Sequence, residues 1–230
     1  MKLLGDLPDQ GIYLVDKPPG WSSFQVVQWM RRQTGEKRVG HAGTLDPFAT
    51  GLLIVAVGRE FTRELSQFEG MDKIYETEIV LGRATDTLDP TGRCTFEDPQ
   101  FRIDSHRLQT ALQKWTGDIR QVPPAYSAIH IRGQRAYQLA RAGQTVTMPP
   151  RDVTVYEIVL GTSTPLTPNP SPEGEGSYPV IKLRIRCSRG TYIRSIARDI
   201  AAELGTQGHC LSLRRMRIGS FDVDGAVIPR

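Results

Sequence analysis

The chain has 230 residues, of which 39% are hydrophobic and 23% charged, and its formal net charge is +4. That length can bury a real core in one domain or two small ones, and no apolar run reaches the roughly 18 residues that span a bilayer. Residues 1–6 lack the apolar core of a signal peptide, so we expect a cytoplasmic protein. Three widely separated cysteines favour reduced thiols over a disulfide framework or a metal site.

Positive charge is concentrated in the last part of the chain. Residues 180–230 hold ten Lys and Arg but four Asp and Glu, whereas the other 179 residues hold 19 and 21. A basic segment on a near-neutral body is typical of a polyanion-binding face. Taken alone, the count fits a solvated charged surface equally well.

The first elements along the chain are a strand, a break and a capped helix. Residues 11–15 predict the strand, and Asp-Lys-Pro-Pro-Gly at 16–20 breaks it. Ser22 and Gln25 form a capping-box pattern for a helix that ends at Gly35. Lys17 stands where the strand ends, which suits a phosphate contact or an ordinary solvated lysine.

Residues 40–51, Gly-His-Ala-Gly-Thr-Leu-Asp-Pro-Phe-Ala-Thr-Gly, predict a shaped loop fixed to the core. The apolar run at 52–57 that follows is typical of a buried strand. Pro47 restrains Asp46 to extended conformations, so the loop would hold one carboxylate at the edge of a sheet. On these residues alone, Asp-Pro is also the start of an ordinary turn.

The middle of the chain alternates helices and strands. Residues 59–68 predict a helix and residues 72–81 a strand with Tyr75 on one face. The polar loop at 82–92 contains two aspartates, for which a turn is favoured over a metal site. The remaining predicted elements are a helix capped by Asp104, a basic aromatic loop suited to RNA at 121–137, strands at 151–160 and 180–186, a helix at 195–204 and a basic strand at 211–219.

Several of these segments carry one resemblance. The dodecamer at 40–51 resembles the catalytic motif of the TruB-type tRNA pseudouridine synthases, which act on uridine 55 of the tRNA T-arm. The resemblance runs from about residue 11 to about residue 220. Its further motifs are Asp-Lys-Pro-x-Gly at 16–20, Lys-Ile-Tyr at 73–75, Cys-Ser-Arg-Gly-Thr-Tyr-Ile-Arg at 187–194 and Leu-Arg-Arg at 213–215. The first of these, with Ser22 and Ser23 after it, implies a structural or RNA-side role for Lys17.

The resemblance implies an α+β fold with a long, mixed, mostly antiparallel sheet flanked by helices and a central RNA cleft. It implies one catalytic domain over residues 1–230, with a low-complexity disordered insertion at 161–179 and without the PUA-type domain that many family members carry. The expected partner is the tRNA T-arm stem-loop. No cofactor, metal, membrane or protein partner is implied, and a monomer is expected.

The resemblance also assigns roles in a reaction that breaks the C1′–N1 bond of a flipped-out uridine and rejoins the base through C5. Asp46 would act on the sugar, by attack on C1′ or by removal of the C2′ proton. Arg194 would keep Asp46 ionised. The other expected site residues are Tyr75 against the base and near its C5 proton, Tyr192 and Leu213 around the ring, and Lys73 on a phosphate. His41 would fill the space that the base leaves or steady the flipped conformation.

Two other functions stay open at this point. One is the same chemistry inside a guide-RNA particle, as in dyskerin-like relatives. The other is a non-catalytic RNA-binding factor, which would explain a basic face but not a fixed carboxylate with an arginine.

Overall fold

A computed structural model describes residues 10–131, 133–161, 168–170 and 177–229. These residues form two compact units: residues 10–76 with 213–229, and the described part of residues 77–212. In chain order the elements are β1 (Gly11–Lys17), α1 (Ser23–Thr34), β2 (Val39–Ala42), β3 (Thr50–Val57), α2 (Arg59–Thr62), α3 (Leu65–Glu69), β4 (Lys73–Leu81), β5 (Arg83–Thr85), β6 (Cys94–Glu97), α4 (Ser105–Lys114), β7 (Gly117–Gln121), β8 (His130–Ile131), β9 (Gln134–Arg135), α5 (Ala136–Arg141), β10 (Arg151–Leu160), β11 (Pro168–Pro170), β12 (Ser177–Cys187), α6 (Ile193–Glu203), β13 (Gly208–Ile218) and β14 (Phe221–Asp222).

The first unit is built on β3, which is buried along almost its whole length. β1 pairs antiparallel with it, from Gly11 opposite Val57 to Lys17 opposite Gly51, and β13 pairs with its start in parallel. Helix α1 packs one apolar cluster against one face of the strand, and α3 contributes to a second cluster that includes Leu52 and Ile54. Apolar layers on both faces explain why residues 52–57 are continuously hydrophobic instead of alternating.

Helix α1 begins as its sequence predicts. The Ser22 hydroxyl accepts a hydrogen bond from the Gln25 amide, and the Gln25 side chain accepts one from the Ser22 amide. Gly35 ends the helix in the left-handed conformation, with φ 70°. The capping box thus satisfies amides that the first helical turn cannot pair internally.

In the second unit the strand order is β13, β4, β12, β10 and β7, where β13 and β4 contribute only their residues up to Ser212 and from Thr77. β10 pairs antiparallel with β12 and β7, with an irregularity between Val155 and Glu157. Burial alternates along β12, as its alternating sequence predicts: Ile181, Leu183 and Ile185 are buried, whereas Arg184 and Arg186 are exposed and Lys182 is half-buried. Helices α4 and α6 each bury one apolar stripe. The ten-stranded mixed sheet flanked by helices confirms the expected fold class.

Two sequence predictions differ from the structure. Residues 59–68 form two short helices, because Glu64 closes a tight turn on the Phe61 carbonyl and the Thr62 hydroxyl bonds the Arg59 carbonyl. Within the predicted insertion at 161–179, residues 162–167 and 171–176 lie outside the described residues, whereas β11 pairs with residues 177–179. No helix among the described ranges is long and apolar enough to cross a membrane.

Candidate active site

Asp46 lies in a β-turn whose flanks are anchored in the first unit's core. Its carbonyl accepts a hydrogen bond of 3.1 Å from the Ala49 amide, with Pro47 and Phe48 between them. Leu45 and Ala49 are both buried, whereas Asp46 is half-buried. The turn therefore presents the carboxylate between two apolar anchors, as the sequence predicted for a fixed loop.

The segment after β1 holds this turn through backbone atoms. The Ser23 hydroxyl accepts a hydrogen bond of 2.9 Å from the Leu45 amide and lies 3.2 Å from the Leu45 carbonyl. The Gly20 amide donates to the Pro47 carbonyl at 2.9 Å. Residues on both sides of Asp46 are thus fixed by the segment that resembles the family's Asp-Lys-Pro-x-Gly motif and the two serines after it.

Lys17 is neither a phosphate-reaching nor a solvated lysine, and its placement fits the structural role that the resemblance implied as one alternative. Its side chain is fully buried, and its ammonium donates to the carbonyls of Pro18, Trp21 and Pro47 at 3.0, 2.7 and 3.2 Å. Burial lowers the pKa of Lys17 from its ordinary 10.5 to about 8, and this effect outweighs the Asp46 carboxylate, which raises the pKa. Lys17 therefore joins the loop after β1 to the Asp46 turn.

Arg215 is a second buried cation next to this turn. It is 1% exposed, and its guanidinium donates to the carbonyls of Leu52 and Gly43 at 2.7 and 2.9 Å. Burial, followed by the nearby Arg215 charge, lowers the pKa of His41. The sequence placed Arg215 in a basic cluster on the last strand, but this side chain faces the core.

The other predicted site residues of the first unit lie on three different strands. Tyr75 on β4 and Leu213 on β13 are buried, and His41 on β2 is half-buried. Among the described residues the His41 Nδ1 atom has no hydrogen-bond partner. Lys73 is buried and donates to the carbonyls of Glu69 and Met71, so its placement does not favour the expected phosphate contact, which stays a prediction.

In the second unit, Arg194 is the second residue of α6 and is 3% exposed. Its guanidinium donates to the carbonyl of Thr87 at 2.7 Å and to that of Tyr126 at 2.9 Å. Nη1 also lies 3.5 Å from a carboxylate oxygen of Asp89. These contacts hold the buried guanidinium in one orientation at the start of the helix.

Asp89 is fixed by its own loop. One of its carboxylate oxygens accepts hydrogen bonds from the Thr87 hydroxyl, the Thr91 amide and the Thr91 hydroxyl at 2.8, 3.0 and 2.6 Å. The sequence treated this aspartate as part of an ordinary turn. The structure confirms a turn and adds a buried ion pair with Arg194, which the sequence did not predict.

The buried side-chain amide of Gln121 is hydrogen-bonded to the backbone of Tyr192, the residue before α6. The Gln121 side chain accepts a hydrogen bond of 2.8 Å from the Tyr192 amide and donates one of 3.2 Å to the Tyr192 carbonyl. The Ser195 hydroxyl donates to the Val122 carbonyl at 2.9 Å. Tyr192, which is half-buried, and Arg194 therefore stand on a helix start whose backbone is tied to the end of β7.

The structure thus groups the predicted residues in two sets. Asp46, His41, Tyr75, Leu213 and Lys73 belong to the first unit, whereas Tyr192 and Arg194 belong to the second. The ion pair between Asp46 and Arg194 stays a prediction. Sequence reasoning did not find the hydrogen bonds that support either set of residues. The two-residue periodicity of strands did indicate that two of the supporting side chains are buried, because Lys17 is on the same strand face as buried Val15, and Arg215 on the same face as buried Leu213.

Comparison with known proteins assigns the chain to a family. Residues 31–193 match the family model "TruB family pseudouridylate synthase (N terminal domain)". The tRNA pseudouridine synthase B of Thermobifida fusca is 47% identical over 216 residues, which are 94% of this chain and 72% of that protein. The enzyme of the same name from Desulfotalea psychrophila is 43% identical over 94% of this chain and 85% of that protein.

Solved structures support the same assignment at the level of the fold. A Cbf5-Nop10-Gar1 complex contains a chain with 25% identity and a TM-score of 0.66, of which 53% is matched by 95% of this chain. An H/ACA RNP bound to a substrate RNA containing 2′-deoxyuridine gives 23% identity and a TM-score of 0.65. This chain spans about half the length of those solved chains. On the family model and these relatives, the chain belongs to the TruB family of pseudouridylate synthases.

Proposed function

We propose that this protein isomerises uridine 55 in the T-arm of tRNA to pseudouridine. Two relatives that are 43 to 47% identical over 94% of the chain are named tRNA pseudouridine synthase B, which supports a pseudouridine synthase that acts on tRNA. The structural observation that supports the proposal is that the turn containing Asp46 is held in a fixed position. The backbone of this turn is hydrogen-bonded to the Lys17 ammonium, the Gly20 amide and the Ser23 hydroxyl, while the carboxylate remains half-buried.

The chemistry fits a single carboxylate. The reaction breaks the bond between C1′ and N1, turns the uracil, joins C5 to C1′ and moves the C5 proton to N1. Substrate and product are isomers, so no redox partner or group donor enters the balance. Asp46 takes up the sugar carbon by attack on C1′, or removes the C2′ proton. Its rigid turn keeps the reorganisation cost of either step low.

The remaining roles follow from the same proposal. Arg194, oriented by two carbonyls and Asp89, supplies the positive charge that keeps Asp46 ionised in a closed site. Tyr75 contacts the flipped base and serves the C5 proton step, while Tyr192 and Leu213 enclose the ring. His41 occupies the space that the extruded base leaves, and Lys73 completes the proposed substrate-binding set.

We further propose that the enzyme acts alone, as a cytoplasmic monomer on the tRNA T-arm stem-loop. The 47% identity with a tRNA pseudouridine synthase B favours this over the guide-RNA alternative. The solved chains from an H/ACA RNP and a Cbf5-Nop10-Gar1 complex share only 23 to 25% identity with this chain. A protein that needed a guide RNA would leave a bare T-arm hairpin unmodified. The two assemblies are therefore separated by the choice of substrate.

The test is tritium release from C5-labelled uridine in a T-arm hairpin and in whole tRNA. Wild type should release one equivalent per substrate, whereas Asp46→Asn should bind the RNA and release none above background. Asp224→Asn, at an exposed carboxylate of the same unit, is the matched control and should release tritium at the wild-type rate. Tritium release by Asp46→Asn at the wild-type rate would show that Asp46 has no role in the mechanism. No release by wild type from either substrate would refute the proposed function.

A further inference from the structure

Arg215 is among the largest fully buried side chains in the part of the chain that the structure describes. It stands in the basic cluster of β13, where a solvated or phosphate-binding arginine would be expected. At 1% exposure it cannot contact RNA without rearrangement of the core. Burying a guanidinium is costly unless its donors are satisfied, so its acceptors indicate what the residue does.

Those acceptors are the two ends of residues 43–52, the loop after β2 together with the first three residues of β3. Nη2 donates to the Gly43 carbonyl, three residues before Asp46, and Nε donates to the Leu52 carbonyl, six residues after it. The two bonds are 2.9 and 2.7 Å long. A planar guanidinium offers donors in a fixed fork, so both carbonyls are held in a set relation to each other.

The main chain of Arg215 is attached to the same loop. β13 and β3 pair in parallel with Arg215 opposite Gly51. A Cβ on Gly51 would collide with the Arg215 backbone, and Gly51 has φ 99°, so glycine is needed at this contact. Gly43 also has a positive φ, of 72°, and a Cβ there would lie 3.5 Å from Arg215 Nη1. One residue thus meets the loop at residues 43, 51 and 52.

We propose that Arg215 is a positioning residue for the reaction, which closes the loop at 43–52 from inside the core and so fixes where the Asp46 carboxylate points. This inference rests on the proposed function for its catalytic consequence. Lys17 ties the middle of the loop through the Pro47 carbonyl, whereas Arg215 ties both ends. Without the Arg215 guanidinium the turn still forms, but its orientation is no longer fixed. Misplacement of the Asp46 carboxylate by about 1 Å is enough to lower the rate on the order of a hundredfold.

The experiment measures single-turnover pseudouridine formation at saturating RNA, together with RNA affinity, for Arg215→Lys and Arg215→Met. Arg215→Lys keeps the charge but offers one compact ammonium in place of the fork, so we expect a rate about tenfold lower. Arg215→Met should lower it about a hundredfold. RNA affinity should stay within about threefold of wild type in both, because the side chain does not reach the surface.

Two controls separate positioning from general destabilisation. Val26→Ala removes buried volume from the core of the same unit without touching the loop, and it should keep the wild-type rate at temperatures where it is folded. Hydrogen exchange should accelerate in the peptide covering residues 43–52 of Arg215→Lys, and not in that peptide of Val26→Ala. Arg215→Lys carries the test if Arg215→Met does not fold.

Wild-type rate in Arg215→Lys, a loss confined to RNA affinity, or unchanged exchange at 43–52 would each overturn the inference. If wild type forms no pseudouridine, the proposed function fails instead. In that case the exchange measurement alone decides whether Arg215 positions the loop.

Discussion

Replacing Lys17 by Met tests whether a buried cation supports the Asp46 turn. In wild type the ammonium donates to three carbonyls and is fully buried. Met has a similar length and no donor, so the substitution removes the charge and the hydrogen bonds while it keeps most of the packing. At pH 7 two effects of Lys17→Met oppose each other: the unpaired carbonyls cost about 1 to 3 kcal/mol, and removal of the buried charge relieves a penalty of about 3 kcal/mol, so we expect little net change in stability.

The pH dependence is the sharper consequence, and its sign follows from the pKa of Lys17. Folding lowers this pKa from 10.5 to about 8, so between these values the unfolded chain binds a proton that the folded chain does not. Stability therefore rises with pH across that window, and the penalty for burying the charge is fully present below pH 8. At about 1.4 kcal/mol per pH unit, the whole rise amounts to about 3 kcal/mol.

The assay is urea unfolding of wild type and Lys17→Met from pH 7 to pH 10.5, with reductant present for the exposed Cys94. Other groups titrate in this range, but they contribute equally to both proteins and cancel in the difference. The stability of wild type minus that of the variant should rise by about 3 kcal/mol. In an Asp46→Asn background the rise should begin at lower pH, because the Asp46 carboxylate raises the Lys17 pKa.

A difference that stays constant with pH would show that Lys17 titrates alike in both states and would refute the reasoning. A difference that falls with rising pH would mean that the carbonyls and the Asp46 charge outweigh the desolvation of the ammonium. Either outcome would mean that the environment of the Lys17 ammonium is more polar than its burial in the structure indicates.

Two further predictions concern the supports of each unit. Gly51→Ala should lower the free energy of unfolding by about 3 kcal/mol or more, because φ is 99° and the new Cβ would clash with the Arg215 backbone. Gly43→Ala, where φ is 72° and the nearest neighbour of the new Cβ lies at 3.5 Å, should lower it by about 1 to 2 kcal/mol. Equal losses for the two variants in urea unfolding would contradict the close approach of Gly51 to Arg215. Asp89→Asn removes the charge paired with buried Arg194 and should destabilise the protein by about 2 to 3 kcal/mol in thermal or urea unfolding, whereas unchanged stability would show that the two carbonyl acceptors alone hold the guanidinium.

Local sequence determined the elements that present the site. The Ser22–Gln25 capping box, the apolar run of β3 and the alternation of β12 each depend on neighbours within a few residues, so periodicity and capping rules predicted them. The motif around Asp46 was likewise visible in one stretch, and its comparison with the TruB family extended it to a function.

Only the tertiary structure decided how that motif is held. Ser23 reaches Leu45 across 22 residues, Lys17 reaches Pro47 across 30, and Arg215 reaches Gly43 across 172. Lysine and arginine are usually solvated, so their types predicted surface roles, and the strand periodicity that placed them on buried faces could not name their acceptors. Backbone carbonyls are identical along the chain, and therefore only the folded path shows which of them a buried cation meets.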